Sequence, residues 1–160
     1  MNNTLKQSFW NQFAASIDML EYAIHMCPTN LWDNESNFWR ITYHSLFFLD
    51  YYITLPPINF TPPAPFTLSE FEDEVAEKAY TKTALLQYVQ FCKNKCYQLI
   101  NSTALLDENI IWENESKTMQ YPIIEILLYN LRHVQHHVAQ LNTLLRQHIN
   151  DAPSCLFRGK

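Results

Sequence analysis

The single glycine of this 160-residue chain, Gly159, lies next to its end, and that limits what the chain can fold into. Tight hairpin turns need residues at positive φ, and glycine supplies that conformation at no steric cost. Sandwiches and barrels string many such turns together, so an all-β fold is not expected. A phosphate-cradling loop of the G-x-x-x-x-G-K type, or a G-x-G-x-x-G turn, cannot be written without interior glycines. ATP and NAD binding of those kinds is therefore excluded. The length suits one domain over residues 1–160, able to bury roughly 70% of the unfolded chain's surface. With 48% apolar and 17% charged residues the chain reads as globular.

Four long segments carry a helical period. Phe9, Phe13, Ile17, Leu20 and Ile24 recur at three- and four-residue spacing, which predicts a helix from about Leu5 to Met26. Pro28 ends it. A second helix is expected over 37–54, with Ser36 as N-cap. It is apolar almost all round and so central. "LPPINFTPPAPF", residues 55–66, carries five prolines and reads as a long connection. "TLSEFEDEVAE" offers Ser69 as a cap before acidic residues, which predicts a short helix. A third long helix is expected over 82–102 and a fourth from Pro122 to Ile149, with 105–120 irregular between them. Helices of about 20 residues cannot bury their faces alone, so the expected fold is an all-α four-helix bundle with a long Pro-rich connection between the second and third helices.

The net charge of −5 and the absence of a basic stripe argue against nucleic acid as a partner. "SLFFLDYYITL" is the most apolar run. Asp50 breaks it, and it falls short of the ~20 residues that span a bilayer, so no membrane partner is expected. The N-terminus lacks an apolar signal core. A cytoplasmic location follows as the expectation, with Cys27, Cys92, Cys96 and Cys155 as free thiols.

The chemistry concentrates in "LRHVQHHVAQLN", residues 131–142. His133 and His137 are four apart. On a helix they stand one above the other and can converge on one cation. Such a pair arises by chance often enough that spacing alone proves little. His44, mid-way along the second helix among Ile41, Phe47 and Phe48, offers a third imidazole; alone it would read as a hydrogen-bonded core residue. Together the three make a nitrogen face with room for water or substrate, as in catalytic zinc sites. H-E-x-x-H is absent, since Val134 follows His133. His136 points about 100° away from His137 around the axis. His25 and His148 sit near helix C-termini, where the dipole explains them. Cys92 and Cys96 repeat the spacing of four with sulfur, as core residues, a metal pair or a redox pair. Gln140 is placed to orient a ligand or substrate, and Tyr51 either lines the pocket or packs in the core.

"ITYHSLFF" in the second helix and "HVQHHVAQL" in the fourth resemble the DinB/YfiT-like superfamily of metal-binding four-helix bundles. "HHVAQ", 136–140, resembles that family's "HHRGQ" segment, with Val138 and Ala139 in place of Arg-Gly. The resemblance spans nearly the whole chain in helix order. It implies a divalent metal, nickel or zinc, on His44, His133 and His137, and a homodimer. It also implies use of a low-molecular-weight thiol as co-substrate.

Two functions follow from these features. One is a metal-dependent enzyme acting on a small-molecule substrate, an S-transferase if the metal activates a thiol or a hydrolase if it activates water. No general base can be named for it. The other is a non-catalytic bundle that binds a metal, an apolar ligand or a partner chain. Ligand imidazoles must be neutral, so with ordinary pKa values near 6.5 metal should be lost as pH drops below about 6.

Overall fold

A computed structural model describes residues 3–72, 74–102, 107 and 109–159. In chain order the elements are α1 (Asn3–Met26), the one-turn α2 (Thr29–Trp32), α3 (Phe38–Tyr52) and α4 (Lys82–Asn101), then β1 (Ile111–Glu113), β2 (Gln120–Pro122) and α5 (Ile123–Ile149). The chain is mostly helical, and no helix among the described residues is long and apolar enough to cross a membrane.

Each long helix buries the stripe that its period marks. Phe13, Ile17, Leu20 and Ile24 of α1 are fully buried, as are Leu46 and Leu49 of α3, Leu85 and Val89 of α4, and Val134, Val138 and Leu141 of α5. Helix α1 packs on α4 and α5, and α3 packs on the same two. Helices α1 and α4 run antiparallel. Lys6 Nζ donates to the carbonyls of Asn101 and Ser102, Asp18 pairs with Lys93, and Gln90 donates to Glu21. Helices α3 and α5 are also antiparallel, with His44 beside His137 and Asn130 Nδ2 donating to the carbonyl of Leu49.

Asparagine stands in for glycine in this chain. Among the described residues, Asn37, Asn59 and Asn150 take positive φ, as does Lys117. Short amide side chains tolerate that region better than most. Asn150 closes α5 there, where glycine is usual. Gly159 serves a different purpose. Its N–H donates to the carbonyl of Asn11, and a Cβ at this position would collide with the backbone of Ala14 and Ala15.

Three local expectations give way. Ser36 does not cap α3. Its N–H and its hydroxyl both donate to Asn34 Oδ1, an Asx-type turn that takes the side chain away from the helix, and Asn37 occupies the cap position. The short helix expected at 67–77 does not form among the described residues, because tertiary groups take the backbone donors instead. Tyr80 Oη accepts from the N–H groups of Thr67 and Leu68, Glu74 accepts from Ser69, and Ser69 Oγ accepts from Phe71 in a local turn. Within the segment expected to be irregular, β1 and β2 pair as an antiparallel hairpin with Trp112 opposite Tyr121. Trp112 is fully buried and its Nε1–H donates to the carbonyl of Thr54, which ties the hairpin to the end of α3.

Asp50, the acid inside the apolar run, is buried and fully used. Its two oxygens accept from Lys95 Nζ at 2.5 Å and Tyr88 Oη at 3.0 Å, and Lys95 also donates to Thr54. Removing one partner strands a buried charge. Lys95→Ala is therefore expected to lower stability by about 2–3 kcal/mol. Lys117→Ala breaks only an exposed contact with Glu113 and should leave stability unchanged. Urea unfolding of the two variants beside the wild type checks both expectations.

Candidate metal centre

Helices α3 and α5 bring His44, His133 and His137 together. One ring nitrogen from each lies within 4.8 Å of the other two, and the group could hold a metal ion. Ring centroids are 5.4 Å apart for His44 and His133, 4.7 Å for His44 and His137, and 4.5 Å for His133 and His137. The spacing of four on α5 stacks its two rings, and the antiparallel approach of α3 sets His44 against both. Phe48 lies against His44 and His133, and Tyr52 and Tyr129 complete an aromatic wall around His133. All three histidines are half-buried.

One tautomer assignment satisfies the contacts on α5. His137 Nδ1–H donates to Gln140 Oε1 at 2.7 Å, which leaves a lone pair on its Nε2. His133 Nε2 lies 3.1 Å from that nitrogen and donates to it. His133 Nδ1 then carries only a lone pair, in keeping with its burial without a partner. His44 Nδ1 lies 2.8 Å from Glu70 Oε2, which leaves its Nε2 for the interior of the cluster. Nitrogens bound to one cation at 2.0–2.1 Å stand about 3.3 Å apart in tetrahedral geometry. The His133–His137 pair stands at that spacing, with His44 within 4.8 Å of both, and the donors are the borderline nitrogens that zinc and nickel accept. The site fits a divalent cation.

Burial shapes the protonation of the pair. Desolvation, then the neighbouring His137, His44 and His136, push His133 down to about 3. Desolvation also pushes His137 down to about 4, with the Gln140 hydrogen bond opposing and His44 and His136 assisting. Both rings are thus neutral and able to ligate well below the pH near 6 expected from ordinary histidines.

The other sequence candidates sort clearly. His136 is exposed, with its ring edge-on to His137, and it stays outside the cluster. His25 and His148 lie exposed in the last turns of their helices. Cys92 and Cys96 are buried in the core as free thiols, and desolvation raises both well above the ordinary thiol range, so neither is a ready ligand. Tyr51 packs against Phe60, Phe71 and Trp112, away from the histidines. Gln140, singled out from its position one turn after His137, does hold that ring. Two residues were not anticipated. Glu70 contacts His44, and Arg40 Nη2 pairs with the other Glu70 oxygen at 2.8 Å. Glu70 lies in the segment whose acids looked like a helical first turn, so nothing in its spacing tied it to position 44.

No family model, no curated protein and no solved structure matches this chain.

The depressed histidines carry a consequence for stability. Between pH about 6.5 and 4 the unfolded chain binds more protons at positions 133 and 137 than the folded one. Their contribution is fully present above pH 6.5 and is lost as pH falls toward their folded values. The melting temperature of the metal-free protein should drop over that interval, and drop less in His133→Gln/His137→Gln. Equal slopes for wild type and double variant would contradict the assignment.

Proposed function

We propose that the chain is a metal-binding four-helix bundle of the DinB-like type. In this reading His44, His133 and His137 hold one divalent ion, zinc or nickel, at a site that activates a small nucleophile. The observation that carries this reading is the convergence of three imidazole nitrogens, from two separate helices, within 4.8 Å. The half-buried position supports it, since a purely structural ion is usually closed off by four protein ligands. Three nitrogen ligands leave coordination room for a small molecule.

A divalent ion at this site would supply Lewis acidity enough to ionise a low-molecular-weight thiol or a water molecule near neutral pH. S-transfer to an electrophile follows in the first case and hydrolysis in the second. The protein's own part is positional. Gln140 fixes the ring of His137 through Nδ1. Phe48, Tyr52 and Tyr129 pack against the ring of His133 and limit its movement. Depressed proton affinity keeps His133 and His137 as free bases at working pH.

A second reading, a bundle that binds without catalysis, has one observation in its favour. A largely apolar cavity of about 460 Å³ lies between Phe47, Phe66 and Phe71 and the proline-rich segment, away from the histidines. It has the size of a small-molecule site.

Elemental analysis and turnover separate the readings. Wild type loaded with Zn²⁺ or Ni²⁺ should retain about one ion per chain after desalting, as a three-imidazole site implies. His44→Ala and His137→Ala should lose more than about 90% of it. Thiol consumption against a panel of electrophiles, or ester hydrolysis, should appear only in the loaded wild type. Metal retained by both variants would overturn the ligand set. A loaded wild type with no turnover on either panel would favour the binding reading.

A further inference from the structure

We infer that Glu70 is the positioning residue of the His44 ligand, and that Arg40 acts on the site only through Glu70. The inference rests on the three-imidazole reading and adds a carboxylate and its holder to it.

Glu70 belongs to an irregular segment with much of its surface exposed: Phe71 beside it is 51% exposed, while the Glu70 side chain is only 6% exposed. A carboxylate so placed gives up solvation and needs a compensating partner. It has two, both on α3 and one turn apart. His44 Nδ1 hydrogen-bonds Oε2 at 2.8 Å, and Arg40 Nη2 lies 2.8 Å from Oε1 as an ion pair without hydrogen-bond alignment. The segment does not need this carboxylate to stay docked. Tyr43 Oη donates to the carbonyl of Leu68 at 2.5 Å, and Tyr80 Oη receives the N–H groups of Thr67 and Leu68. Arg40 Nη1 also reaches the carbonyl of Glu74 at 3.2 Å.

A carboxylate can only accept, so the His44 contact is Nδ1–H donating to Glu70. That fixes the tautomer with the lone pair on Nε2, the nitrogen left to face His133 and His137. It also restricts rotation of the ring and orients Nε2 as a ligand. On α5, Gln140 does the same for His137 with a neutral acceptor. His133 has no such partner at Nδ1. The three ligands are therefore graded, with His44 the most firmly set by charge. Arg40 touches no histidine in this arrangement and holds the carboxylate in register.

Zn²⁺ affinity by competition with a chromophoric chelator tests the inference, together with the absorption spectrum of the Co²⁺-loaded protein. Glu70→Ala should weaken Zn²⁺ binding about 10–100-fold. Glu70→Gln, which keeps an acceptor but loses the charge, should show a smaller loss of the same sign. Arg40→Ala should weaken binding less than Glu70→Ala, and the double variant should match Glu70→Ala alone. The Co²⁺ bands should shift in Glu70→Ala, since they report ligand geometry, which a general loss of stability would not move. Affinities of both Glu70 variants equal to wild type, while His133→Ala fails to bind, would overturn the positioning role and leave the ligand set standing. Binding by His133→Ala as tight as wild type would instead overturn the three-imidazole reading itself.

Discussion

The contact between α3 and α5 governs this molecule. Two antiparallel helices meet along a seam that is aromatic at one level and imidazole at the next. Phe48, Tyr52 and Tyr129 close around His133, and His44 lies against both His133 and His137. Three half-buried imidazoles in one place repel protons from each other and lose solvation. Such a cluster is stable while its rings stay neutral, as burial keeps His133 and His137. Neutral rings are what a transition-metal ion requires, and His133 presents its Nε2 lone pair once the proton shared with His137 moves to Nδ1. The energetic liability of the cluster and its suitability for a metal ion have one origin.

The rest of the fold holds that seam in place. Helices α1 and α4 complete the packing from the far side, fastened to each other by Lys6, Lys93 and Gln90. Asp50, one residue past the Leu49 that receives Asn130, anchors α3 to α4 through Lys95 and Tyr88. This buried network sits below the histidine level and keeps α3 from sliding along its neighbours. The hairpin closes the lower end through Trp112. The segment after the prolines comes back over α3 and delivers Glu70 to the upper end.

Much of this was legible in the sequence, for a physical reason. Long helices announce themselves by period, and Phe13, Ile17, Leu20 and Ile24 face inward as their spacing requires. The histidine pair was legible because a spacing of four stacks two side chains on one face of a helix, and it gained weight only with His44 beside it. His44 was legible because a polar ring in the middle of an apolar helix needs a partner. Contacts without period were not legible. Glu70 reaches His44 across 26 positions through a loop whose path depends on tyrosine hydroxyls at 43 and 80. Strands of three residues are too short for alternation to register, and the hairpin's left-handed residue is Lys117 rather than glycine. Ser36 looked like a cap because capping rules weigh the residue, not the Asn34 two places before it.

The most direct test is X-ray absorption at the metal edge of the Zn²⁺-loaded protein. The account predicts a first shell of nitrogen and oxygen at about 2.0–2.1 Å, with the outer-shell scattering of about three imidazole rings and no sulfur. A first shell with sulfur at about 2.3 Å, or one lacking imidazole scattering, would contradict it.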